Sequence, residues 1–153
     1  MTTIYLEPFD VNNWLKVCQL EVTEEQKELH PIPNVYYIGI SRYEEFTELF
    51  AIKCGDDYVG FIGGGLDEDK ESGYGYINPL MIDSQHQRRG YAKQAVKLMV
   101  AYLQSKYNVP RVNLGHRANN FAAAKLYESL GFKVVRECDS GEYGLDNYRT
   151  LNL

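Results

Sequence analysis

The stretch Gln87-Arg88-Arg89-Gly90-Tyr91-Ala92 lies between an apolar run ending at Met81-Ile82 and an amphipathic segment from Tyr91 to Tyr107. That order describes a strand delivering the chain into a loop at the head of a helix. Main-chain N–H groups in such a loop, backed by the positive end of the helix, hold phosphate oxygens. Gly90 gives the loop its shape, and Arg88, Arg89 and Lys93 add fixed positive charge at the same place. The natural occupant is an anionic cofactor.

A second stretch, Asn120-Phe121-Ala122-Ala123-Ala124-Lys125-Leu126-Tyr127-Glu128-Ser129-Leu130-Gly131-Phe132, follows after one helix and one strand. The pattern Q-x-x-G-x-A at Gln87 to Ala92 resembles the pyrophosphate loop of the GNAT superfamily of acetyl-CoA-dependent N-acetyltransferases. The second stretch resembles that family's later helix, with its asparagine, its tyrosine and its Gly-Phe exit. Specific resemblance covers residues 74 to 132, with looser likeness elsewhere. It implies an α/β fold of GNAT type: a mixed, mostly antiparallel sheet of about seven strands with about four helices, splayed between the strand at 74–82 and the strand at 111–116. Acetyl-CoA is the implied cosubstrate.

The resemblance also assigns roles. Leu80, Met81 and Ile82 face the pantetheine arm, and Gln87, Arg88, Arg89, Gly90, Tyr91, Ala92 and Lys93 surround the phosphates. Asn120 contacts the cofactor and Asn119 caps the helix, or the two exchange roles. Tyr127 is the implied proton donor to the departing thiolate; its phenol, with a pKa of about 10, suits an alkyl thiolate. Many relatives carry an acidic residue where this chain has Asn78, which accepts no proton. Tyr76, His116 or a chain of water molecules could stand in as the base. For the acceptor, a faint likeness of residues 20–33 to polyamine acetyltransferases, together with Glu24, Glu25 and Glu28, points to a spermidine-like or other small primary amine. A peptide N-terminus, an aminoglycoside, or a non-catalytic CoA sensor are the alternatives.

Composition narrows the rest. With 153 residues, 44% apolar and 24% charged, the chain suits one catalytic domain spanning 1–153 with a real core. A formal charge of −5 argues against nucleic acid. No run reaches membrane-spanning length and the first residues lack signal-peptide order, which suggests a cytoplasmic protein. Cys18, Cys54 and Cys138 lack C-x-x-C spacing, and His30, His86 and His116 lack ligand spacing, so neither a disulfide framework nor a metal is expected. Two acidic groups, Glu21 to Glu28 and Asp67, Glu68, Asp69 and Glu71, stand apart from the basic loop and could attract a cation. A homodimer through the exposed sheet edge, common in relatives, is compatible with all of this.

Along the chain, Thr3 to Leu6 reads as a strand. Asp10 reads as the N-cap of a helix with Val11, Trp14, Leu15 and Cys18 on one face. Residues 22–34 read as loop or broken helix, and Ser41 with Glu44 as a capping box for a second helix. Leu49 to Cys54 and Tyr58 to Leu66 form a hairpin across Gly55-Asp56-Asp57. Gly63-Gly64-Gly65 would admit a close neighbour. Tyr74 to Ile82 is a strand that Pro79 must bulge. Helices follow over 90–107, with Ala92, Ala95, Val96, Met99, Tyr102 and Leu103 inward, and over 120–130, closed by Gly131. Strands at 111–116, 132–137 and 145–151 complete the order.

Overall fold

A strand sends successive side chains to opposite faces, and the hairpin of β2 (Thr47–Cys54) and β3 (Asp57–Leu66) shows what that does here. Leu49, Ala51 and Phe61 enter one core with Val17 and Met81. Phe50, Ile52 and Ile62 enter the other, joined by Val59 at the register shift beside Ile52 and Lys53, with Ala95, Val96, Met99, Leu103, Val112 and Phe132. Both faces are therefore covered. Helices α1 (Trp14–Cys18) and α2 (Asn34–Tyr43) lie on the first face, α3 (Tyr91–Tyr107) and α4 (Phe121–Ser129) on the second. Each fully buried side chain of this size contributes about 2 kcal/mol from hydrophobic transfer.

The computed structural model describes residues 2–67 and 73–153. It contains a seven-stranded sheet in the order β1-β2-β3-β4-β5-β7-β6, where β1 is Tyr5–Pro8, β4 is Gly75–Ile82, β5 is Arg111–Arg117, β6 is Lys133–Asp139 and β7 is Leu145–Asn152. Every neighbouring pair is antiparallel except β4 and β5, which run parallel. The expected mixed sheet and four helices are present. Glu68, Asp69 and Glu71 of the second acidic group lie outside the described residues.

The glycine triplet in β3 serves backbone packing. A Cβ on Gly64 would stand 2.2 Å from the Tyr76 carbonyl oxygen, and one on Gly65 would stand 1.5 Å from that of Phe46. Opposite Gly63, β4 carries an extra residue: Ile62 pairs with Leu80 but Gly64 pairs with Ile77, so Asn78-Pro79 bulges out of the ladder. The proline that lacks an N–H thus sits where no ladder bond is required.

Three local expectations change. Asp10 does not cap a helix; its carboxylate accepts the N–H groups of Asn12 and Asn13 at 2.7 and 3.1 Å, closing a turn that delays the helix to Trp14. That delay changes which side faces in, so Val11 is 83% exposed whereas Val17 is 0%. Ser41 lies inside α2, which starts directly after Pro33, and its hydroxyl donates to the Ile38 carbonyl at 2.9 Å. The capping box is instead at Thr23 and Gln26, on a short 3-10 turn over Glu24–Gln26. Among the described residues, no helix is long and apolar enough to cross a membrane.

Candidate functional site

β4 and β5 pair only over Gly75–Val112, Tyr76–Asn113 and Ile77–Leu114, although β4 continues to Ile82 and β5 to Arg117. Beyond Ile77 each keeps its outer partner, β3 or β7, and leaves its inner edge unpaired. The bulge at Asn78-Pro79 turns β4 aside at that point. A slot flanked by free strand edges results.

The slot leads to the loop before α3. Arg88 (φ 60°) and Gly90 (φ 79°) take left-handed backbone conformations that curl the chain into a concave nest. Among the described residues, the N–H groups of Arg88 to Lys93 donate to no protein acceptor, and the first bond of the helix is Gln94 N–H to Gly90 O. Unpaired donors at a helix start are an anion site. Arg88 and Lys93 line the same cavity, but Arg89 does not: its guanidinium turns back onto the Gln85 carbonyl at 3.1 Å, tying the loop to itself.

The cavity, of about 1300 Å³, runs from this loop along the slot to β7. Leu80, Met81, Ile82, Gln87, Tyr91, Ala92, Asn120 and Tyr127 all contribute to its wall, together with Tyr76, Asn78 and His116. Tyr127 is 6% exposed, packed edge-on to Phe132, and its hydroxyl has no hydrogen-bond partner among the described residues. Burial pushes the phenol up to about 12. At neutral pH it is a protonated donor. Asn120, rather than Asn119, caps α4, its Oδ1 accepting the Ala123 N–H at 3.1 Å and its amide N–H₂ remaining available.

His116 has no free lone pair. Its Nδ1–H donates to the Arg117 carbonyl at 2.8 Å, since a carbonyl only accepts, and its Nε2 accepts from Arg149 Nε–H at 2.8 Å, since a guanidinium only donates. Burial chiefly holds its pKa below the usual histidine value, the bond to the Arg117 carbonyl opposing and the Arg149 charge reinforcing the shift. These bonds remove His116 from the candidate bases. Tyr76 is also engaged, sharing a 2.6 Å hydrogen bond with Thr47 Oγ1. Arg149 itself escaped the sequence reading. At 3% exposed it joins His116 to the Phe132 carbonyl and to Glu128, whose bond is 3.0 Å. A lone arginine among the alternating residues of β7 was the available signal.

The facing wall is built from the segment 22–32, including Val22, Gln26, Leu29 and His30, and from Tyr37. It is stitched to the loop by paired hydrogen bonds: Glu21 N–H to Asp83 Oδ1 (3.1 Å), Ser84 N–H to the Glu21 carbonyl (2.8 Å), and a reciprocal amide pair between Gln26 and Gln87 (3.0 and 2.7 Å). Gln87 also donates to the Ile82 carbonyl at 3.0 Å, so its side chain is a structural bracket. Of the three glutamates expected to receive an amine, only Glu25 faces the cavity. Glu24 pairs with Lys27 on the exposed turn and Glu28 points to solvent, whereas Glu25, Asp67 and Asp146 line the cavity. The 3-10 turn sends alternate glutamates apart, which spacing alone does not reveal.

A sequence profile of the acetyltransferase (GNAT) family matches residues 10–132. The chain belongs to the acetyltransferase (GNAT) family. It is an acyltransferase, with acetyl-CoA as donor. Among its relatives, the N-terminal acetyltransferase B complex catalytic subunit NAA20 of Arabidopsis thaliana is 28% identical over 99% of this chain and 87% of that protein. N-alpha-acetyltransferase 30 of Xenopus laevis is 34% identical over 68% of this chain, which spans 37% of that longer protein. In fold, the spermidine N-acetyltransferase of Vibrio cholerae, solved with CoA and spermine, superimposes with a TM-score of 0.80 at 13% identity, over 97% of this chain and 95% of that one.

Proposed function

We propose that this GNAT domain, spanning 1–153, acetylates the α-amine of polypeptide chains by direct attack in a ternary complex. One observation carries the reading: the slot between β4 and β5 joins a nest of N–H groups without protein acceptors among the described residues at one end to the Tyr127 hydroxyl within the same cavity. Acetyl-CoA supplies an activated acyl group; everything else is positioning by this chain. The N–H groups of Arg88 to Lys93 hold the diphosphate, helped by the charges of Arg88 and Lys93. The inner edge of β4 at Leu80 to Ile82 pairs with the amides of the pantetheine arm. Asn120 offers its free amide protons to the same ligand.

Tyr127 donates to the sulfur as negative charge develops there. A phenol near 12 is a weaker acid than a thiol of about 8.5, so full proton release to a free thiolate is uphill by roughly 5 kcal/mol. The contribution of Tyr127 is a hydrogen bond preorganised in a buried setting, and the proton follows as water refills the phenol.

The acceptor class rests on the relatives named N-alpha-acetyltransferases and on the wall itself. Of Glu24, Glu25 and Glu28, the basis for a polyamine, two stand outside the cavity and only Glu25 lines it. A small-polyamine reading retains Glu25 and Asp67 in the wall and the likeness of fold to a spermidine enzyme. Thiol release from acetyl-CoA, followed with unblocked heptapeptides, the same peptides N-terminally blocked, and spermidine, separates them. Turnover only with unblocked peptides is expected. Faster turnover with spermidine reverses the assignment.

A further inference from the structure

The reaction needs a proton acceptor, because a peptide α-amine with a pKa of about 8 is mostly an ammonium ion at neutral pH. His116 has both nitrogens engaged, Asp146 is held by Arg117 at 2.9 Å and by Ser140, and His86 is bonded to Asp83 at 3.0 Å. His30 differs from all of them. It lines the cavity from the wall formed by residues 22–32, its ring stacked on Tyr37 with centroids 5.8 Å apart and edge-on to Phe61 at 6.3 Å.

Its tautomer is fixed by Asn34. Both protons of the Asn34 amide go to main-chain carbonyls, Leu20 at 2.9 Å and Val17 at 3.3 Å, so only Asn34 Oδ1 is left for the ring. That oxygen lies 3.4 Å from His30 Nε2 and can only accept. Nε2 therefore carries the hydrogen, and Nδ1 keeps a lone pair that has no partner among the described residues. Burial lowers the pKa of the ring, the Asn34 bond opposing, which keeps it neutral and able to accept at pH 7. Tyr37 from α2 and Phe61 from β3 face the ring directly. The charge of Arg117 on β5 is felt at Tyr37, and Glu25 and Glu28 flank His30 on its own segment. Phe61 pairs with Met81 just beyond the bulge, and His30 and Tyr37 line the same cavity as Tyr127 and the loop before α3.

We propose that His30 is the proton acceptor of the reaction, its Nδ1 taking a proton from the incoming ammonium; this rests on acetyl transfer taking place in this cavity. The freed amine nitrogen forms the C–N bond to the acyl carbon. The C–S bond breaks with its electron pair on sulfur, which gains its proton along the Tyr127 hydroxyl, refilled from water. The second nitrogen proton, released on amide formation, and the one on His30 both leave to water.

The test compares wild type with His30→Gln, using the heptapeptide the wild type acetylates best, from pH 6 to 9.5. At pH 7 the variant should lose about 100-fold in kcat with its acetyl-CoA affinity unchanged. The deficit should shrink at least tenfold as pH rises past the amine pKa, because an amine already deprotonated needs no acceptor. A deficit constant across pH, or no deficit, overturns the assignment while leaving acetyl transfer intact. A wild type that acetylates neither peptides nor spermidine overturns acetyl transfer itself, and His30 with it. Imidazole ¹⁵N NMR of the wild type gives a check independent of turnover: Nδ1 of His30 should be unprotonated at pH 7.5, and a proton found there overturns the proposal.

Discussion

Replacing Tyr127 by Phe removes one oxygen from a buried ring and leaves no protein group without a partner, so folding at neutral pH should change by less than about 1 kcal/mol. The alkaline limb is different. Tyr127 titrates near 12 in the folded chain and near 10 when unfolded. Its folded pKa is raised, so its contribution is fully present below pH 10 and is lost as pH climbs through 12. Two pKa units correspond to about 3 kcal/mol. Urea unfolding of both proteins between pH 9 and 12 isolates this term, because every other titrating group is common to the pair. The wild type should lose about 2 kcal/mol more than Tyr127→Phe over that range, the folded phenol being only half ionised at pH 12. Parallel curves would refute the burial argument. In the same preparation kcat should fall on the order of 100-fold with acetyl-CoA affinity within threefold, and an unchanged rate removes Tyr127 from the chemistry.

Gly90→Asp places a carboxylate and a strained left-handed residue in the nest, and titration calorimetry should show acetyl-CoA bound at least tenfold more weakly, about 1.4 kcal/mol. Arg149→Met strips His116 Nε2 and the Phe132 carbonyl of their donor; we expect about 3 kcal/mol of destabilisation by denaturant, and by NMR a His116 pKa that rises as the opposing charge disappears. Gly64→Ala drives a methyl group against the Tyr76 carbonyl, and a loss of about 3 kcal/mol in urea unfolding is expected; a variant as stable as wild type contradicts the packing described.

The long periodic elements were legible because their side chains settle the matter locally. The face of α3 inward at Ala95, Val96, Met99 and Leu103, the β2–β3 hairpin, the bulge demanded by Pro79 and the parting of β4 from β5 were all expected, and all are present. The helices of the first face were not, for physical reasons. α1 is five residues long and its buried face is chosen by the Asp10 turn. α2, rich in β-branched and aromatic residues, buries no side chain fully and is held by tertiary contacts that propensity does not encode. At the site, residue types pointed to the loop and to Tyr127, but commitments between distant residues stayed hidden. Arg149 with His116 and Gln26 with Gln87 are pairings that exist only once the chain is folded.

The glycines of β3 carry a consequence for how such an enzyme diversifies. A strand whose Cβ positions are already taken by neighbouring carbonyls has no room to acquire new side chains, so β3 is closed to substitution at Gly60, Gly64 and Gly65. Shifts of preference among amines therefore fall to exposed positions on the cavity rim, such as Glu25 and Val135, whose side chains take no part in the core.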